Sequence, residues 1–152
     1  MIVPPLESSG SFTNIQEINE KQKKKAIERQ HAFKEIITSE KIYFKNLQFV
    51  YWGIIMPLEE LAKEKVSWIT EQEINLIFSN WKSLMFFNKE LMKRLEHKKN
   101  MPIEEREIGA TFLELAPHMK MYTQFINDFD ASSATLELCL QKDEFYNFIQ
   151  VF

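Results

Sequence analysis

A chain of 152 residues that is 45% hydrophobic and carries 13 phenylalanines can build one domain with a substantial core, which excludes wholesale disorder. Three glycines and five prolines are too few for a hairpin-rich β architecture. A net charge of −3 gives no support to nucleic-acid binding, which needs a dense cationic surface, and the single cysteine, Cys139, excludes an intrachain disulfide framework.

The start, MIVPPLESSGSF, lacks the basic and long apolar regions of a secretory signal. No run approaches the roughly 20 apolar residues that span a bilayer. A soluble, cytoplasmic protein is the expectation. Residues 1–15, with two prolines, Gly10 and a Ser/Thr cluster, read as a tail or linker. From 18 to 29 the chain (INEKQKKKAIER) is a charged helical lead-in, and its KQKKK run at 21–25 reads as an exposed helix start that offers at most a weak contact with acidic lipid or an acidic partner. The lead-in is placed at 1–25 and the domain at 26–152.

Residues 32–52 predict a long amphipathic helix. Phe33, Ile36, Ile37, Tyr43, Phe44, Leu47, Val50 and Tyr51 share one side at about 100° per residue. Glu40 lies near the middle of that stripe, which predicts burial against a hydrogen-bonding partner and a structural role. Glu35 falls roughly 130° from the stripe centre and faces out beside Thr38, Ser39 and Ile42. The helix should stop near Gly53, with Pro57 discouraging helical geometry at Met56. A short connector with a helical turn or two follows.

Thr70-Glu71-Gln72-Glu73 is a capping box ahead of an apolar run, and it predicts one helix to about His97. Its face comprises Ile74, Ile77, Phe78, Trp81, Leu84, Met85, Leu91 and Leu95, with Asn88 the one polar member. Asn80 is expected to bond a backbone group at a helix contact. A third helix over 105–128 shows Ile108, Phe112, Leu115, Met119, Tyr122 and Ile126, and Pro117 should kink or split it. Asp130 reads as the N-cap of a helix over 131–142, with another around Phe145, Phe148 and Ile149. No segment alternates with period two, so the fold class is all-α.

The chemistry of bond-making is missing from the sequence. His31, His97 and His118 lie on separate segments without metal-ligand spacing, and no Gly-rich phosphate loop, GxSxG or HExxH occurs. Glu59/Glu60 and Glu104/Glu105 are sequence neighbours that point apart on a helix. Cys139 reads as a small buried hydrophobe, since nothing local would lower its pKa.

Three stretches together resemble the Dbl homology domain, the exchange module of guanine nucleotide exchange factors for Rho-family GTPases. KEIITSEKIYFKNL (34–47) is similar to the family's opening helix, which reads like ELLxTExxYVxxL. ITEQEINLIFSNWKSLMFFNKELMKRL (69–95), with Met56-Pro57-Leu58 ahead of it, is similar to the second conserved region. EIGATFLELAPHMKMYTQFINDFDASSATLELCLQKDEFYNFI (107–149) is similar to the third. The resemblance implies an elongated helical bundle and a Rho-family small GTPase as partner, with no cofactor and no metal of its own. It makes Glu35 the glutamate that contacts switch I, flanked by Thr38, Ser39 and Ile42.

The family's later LxPxQRxxRYxLLL helix and final helix have no counterpart before Phe152. By resemblance the chain supplies about two-thirds of an exchange domain, the switch I side. A bundle without its later long helices exposes apolar faces worth about 25 cal/mol per Å² when buried. Three arrangements meet that cost: a fragment of a longer chain, self-association through the uncovered face, or a compact remnant. The competing functional class is a helical scaffold without exchange activity.

Overall fold

In the computed structural model, which describes residues 9–152 and their side chains from residue 15 onward, the dominant element is α1, Ser9–Val50, 42 residues of unbroken helix. At 1.5 Å per residue it is about 60 Å long. Over 15–32 every side chain is exposed except that of Ala26, and Phe33 is the first buried residue. This half is held by local terms. Glu17 and Lys21, and Glu20 and Lys24, lie one turn apart in the favourable acid-first order, worth about 0.2–0.5 kcal/mol per pair. Residues 9–15, expected as part of a tail, are helical, and the rest of that tail lies outside the described residues.

The expected stop at Gly53 does not occur. α1 passes into a π-helical turn, Tyr51–Ile55, and then into α2, Met56–Lys63. Gly53 keeps a negative φ, and Met56 is helical (φ −61°, ψ −46°) although a proline follows it. The wide turn carries an i→i+5 bond from the Met56 N–H to the Tyr51 carbonyl. It also sets Tyr51 and Ile55 against the core and leads to fully buried Leu58. Packing of those three side chains outweighs the local Gly and X-Pro signals.

The Thr70 capping box forms as its spacing predicts and opens α3, Glu71–Phe78. Thr70 Oγ1 accepts from the Glu73 N–H at 3.2 Å, and Glu73 Oε2 accepts from the Thr70 N–H at 2.9 Å. The helix expected to run on to His97 breaks instead at Ser79–Asn80, and α4 spans Trp81–Lys99. Ser79 sits at φ 45°, a left-handed conformation costly for any residue with a Cβ. Two long-range bonds hold the break: Ser79 Oγ donates to Asp128 Oδ2 at 2.5 Å, and Asn80 Nδ2 donates to the Met121 carbonyl at 2.8 Å.

A 3₁₀ turn at Ile103–Glu105 leads to α5, Ile108–Leu115. A second 3₁₀ segment, Ala116–Met119, contains Pro117 and separates α5 from α6, Lys120–Asn127. The change of winding re-aims the expected face: Leu115 stays buried, whereas Met119 and Ile126 turn outward and Met121 and Phe125 turn in. α7, Phe129–Leu140, starts one residue before Asp130, so Asp130 lies in its first turn and is not the cap. α8 is Asp143–Ile149.

Two apolar clusters hold the bundle together. The larger joins the end of α1, the π-turn, α2, α3, α7 and α8 around Leu47, Leu58, Ile74 and Phe145. The smaller packs Phe87, Leu91 and Leu95 of α4 against Leu115, with Ile36 and Ile37 of α1 at its edge. Asn88 is 1% exposed between them, and its Nδ2 donates to the Leu84 carbonyl and the Tyr122 hydroxyl. Lys142 ties α8 to the α3 cap through Glu73 Oε1 at 2.6 Å and the Trp68 carbonyl at 3.1 Å. Burial alone would raise the Glu73 carboxyl, but hydrogen bonds from Lys142 and Thr70 hold it below its ordinary range. The described residues contain no strand, and the fold is an all-α bundle with α1 protruding.

Candidate functional site

The candidate surface is the outward side of α1. Glu35, Thr38, Ser39 and Ile42 are all exposed there, on two successive turns. The two hydroxyls spend their protons on their own helix: Thr38 Oγ1 donates to the Lys34 carbonyl at 2.8 Å, and Ser39 Oγ donates to the Ile36 carbonyl at 3.0 Å. Toward a partner they therefore present acceptor lone pairs. No ion pair or side-chain hydrogen bond engages Glu35 among the described residues, so its carboxylate can accept from an incoming donor. Ile42 is 56% exposed beside it.

The apolar character of this side continues further than the sequence expectation took it. Phe49, seven residues beyond Ile42, is 58% exposed, and Trp52 is 54% exposed. The signal was present in the heptad spacing 35–42–49, which stacks residues on nearly one side of a helix. Trp52 falls at the end of the expected helix, where the angular arithmetic stops.

Glu40 departs from expectation. It is half-buried, not buried, and no side-chain hydrogen bond reaches it among the described residues. Burial pushes its carboxyl above the ordinary value. The adjacent Tyr43 phenol is pushed up as well, first by burial and then by Tyr122 and Glu40. Open solvent on one side of the stripe at Glu40 removes the need for a dedicated partner. Asn80 bonds the Met121 carbonyl as described, while its Oδ1 is buried without a partner among the described residues.

The described residues hold no group of three His, Cys, Asp or Glu able to bind a metal ion. No described helix is long and apolar enough to cross a membrane. Cys139 is fully buried, and burial pushes its thiol up, away from the reactive thiolate. What the α1 side offers is a mixed carboxylate, hydroxyl and aliphatic surface on a rigid helix, suited to protein contact.

The RhoGEF domain family matches residues 32–152. Intersectin-1 of Homo sapiens is 35% identical over 100 residues, covering 64% of this chain and 6% of its own. Rac guanine nucleotide exchange factor B of Dictyostelium discoideum is 30% identical over 129 residues, 68% of this chain and 11% of its own. Myosin-M heavy chain of the same organism is 29% identical over 124 residues, 82% of this chain and 6% of its own. The chain thus spans about a tenth or less of the length of these relatives. The match begins at residue 32, one residue before α1 enters the bundle at Phe33, and takes in every packed element that follows. The chain belongs to the RhoGEF (Dbl homology) domain family.

Proposed function

We propose that this chain is the switch I side of an exchange domain that accelerates GDP release from a Rho-family small GTPase. The single observation that carries the reading is Glu35. It is a carboxylate unpaired among the described residues, on the outward side of a rigid helix, with exposed Ile42 two turns on and acceptor oxygens at Thr38 and Ser39 between them. A carboxylate so placed accepts charge-assisted hydrogen bonds from switch-region donors. Ile42 adds an apolar contact beside it.

The mechanism is differential binding. An exchange domain that binds the nucleotide-free GTPase more tightly than the loaded form shifts the equilibrium toward nucleotide release by that difference in affinity. No covalent step is involved and no cofactor is needed.

The test is release of fluorescent GDP from a panel of Rho-family GTPases. Three proteins are compared: this chain, the chain extended through its native downstream sequence, and the extended chain with Glu35→Ala. Loss of one charge-assisted bond predicts a drop of about tenfold or more in the extended chain, with unchanged helix content. Equal rates for the extended chain with and without Glu35→Ala would sink the assignment of Glu35. No acceleration by any of the three proteins on any GTPase would favour the scaffold reading.

A further inference from the structure

Adjoining the Glu35 surface, a groove of about 440 Å³ lies between α1 and the end of α4 with the segment that follows it. Its cations are Lys34, Lys41 and Lys45 from α1, with Lys99 and Arg106 from the second wall. No carboxylate lines it, in a chain with 22 acidic and 19 basic residues. Four ion pairs occur among the described residues, and none involves any of these five cations. Arg106 is fixed in place: Nε donates to the Met101 carbonyl at 2.9 Å, Nη2 donates to the Lys99 carbonyl at 3.1 Å, and the guanidinium lies 4.7 Å from the Phe33 ring centre. Between the cations the lining is apolar at Phe33, Ile37 and Ile42 and polar at Gln30 and Thr38, so the groove shares Thr38 and Ile42 with the Glu35 surface.

Cations around an apolar floor define the chemistry of an occupant. A small polyanion would satisfy the lysines and leave the floor unused. A flat anionic lipid surface would meet the lysine tips without reaching a floor set between two walls. An acidic segment carrying an apolar side chain uses both. Lys34 and Lys45 are 11 residues apart, about 16 Å along the axis, which three turns of a partner helix would match.

We propose that this groove docks an acidic amphipathic helix of a partner protein, its carboxylates meeting Lys34, Lys41 and Lys45 and one apolar side chain seated on Ile37 and Ile42. Unpaired cations sharing one groove raise the local concentration of such a segment and make its capture salt-dependent. The inference goes beyond the exchange reading and stands without it, because no GTPase enters its test.

The test is fluorescence anisotropy of the whole chain with a labelled peptide of about four helical turns, its Glu and Leu residues placed on one helical face. Saturable binding is expected at low salt, weakening as salt rises. Lys41→Glu with Lys45→Glu should weaken it about tenfold, and Lys41→Gln with Lys45→Gln less, in the same direction. Lys120→Glu, at an exposed position on α6 outside the groove, should leave binding unchanged. A peptide with Ser for Leu should bind about tenfold more weakly. The groove assignment fails if the peptide does not bind, if Lys120→Glu weakens it as much, or if the Ser peptide binds equally well. It also fails if phosphatidylserine vesicles sediment the chain with the same Lys41/Lys45 dependence and the peptide does not compete. Circular dichroism of each variant confirms that the helices are intact.

Discussion

Residues 15–32 and 33–50 of α1 share one backbone conformation and differ in almost everything else. In the first stretch only Ala26 is even half-covered; in the second, Phe33 and Leu47 are buried and Ile36, Ile37, Phe44 and Val50 pack at the edges of the two cores. The first half is helical because its charges alternate at one-turn spacing and no residue in it forbids a helix. The second is helical because a stripe of large side chains has somewhere to go. A helix can therefore look uniform and yet draw its stability from two unrelated sources, one screened by salt and one fixed by packing.

The sharpest way to expose that difference is to truncate one apolar side chain in each half. Leu47→Ala, at a site 2% exposed, should cost about 2–5 kcal/mol in chemical unfolding. Ile27→Ala, at a site 57% exposed, should change stability by less than about 0.5 kcal/mol. Equal effects would mean that the outer half has a packing partner.

A smaller effect tests how the inner half continues. A glycine serving as a left-handed cap would not tolerate a Cβ, but Gly53 has a negative φ, and an added Cβ would meet the Phe152 ring at 3.5 Å, an ordinary contact. Gly53→Ala should accordingly raise stability by about 0.5–1 kcal/mol. A loss of stability would show that the π-turn requires glycine.

The smallest expected effect concerns two glutamates of the same helix. Glu40 in the inner half has its pKa raised by burial, so its charged form weighs against the folded state. Stability from this group is full at low pH, where it is protonated in both states, and declines as pH rises through its unfolded and then its folded value. Glu40→Gln should raise the melting temperature slightly at neutral pH, and the gain should vanish on acidification below about pH 4. Glu20→Gln, in the outer half, should instead cost a few tenths of a kcal/mol at neutral pH, and less at high salt. A pH-independent gain for Glu40→Gln would remove burial of charge as its cause.

What could be read from the sequence is what local chemistry determines. The Thr70 cap needs only Thr70 and Glu73, three residues apart, and it forms as the spacing implies. The α4 face follows from helical periodicity alone. Where a distant residue decides, the sequence is mute: the break at Ser79 depends on Asp128, 49 positions away. Gly53 and Pro57 carry the ordinary marks of a helix end, yet Leu58 and Ile55 gain more by continuing into the core than the chain loses at the π-turn. The exposed set Glu35, Thr38, Ser39 and Ile42 could be located from angular arithmetic. The groove that adjoins it could not, because Lys99 and Arg106 come beside α1 only when the end of α4 and the segment after it fold against that helix.

The unbroken course of α1 also has a mechanical consequence. Ser9 and Glu35 are 26 residues apart along one helix, about 39 Å of rod. A rod of this kind transmits torsion as well as length. Inserting one residue between 15 and 32 would rotate everything before it by about 100° relative to Glu35, whereas inserting seven would restore the azimuth to within about 20° and add roughly 10 Å. The outer half of α1 is thus a phase-setting lever, whose length in residues fixes the direction in which its far end points from the Glu35 surface.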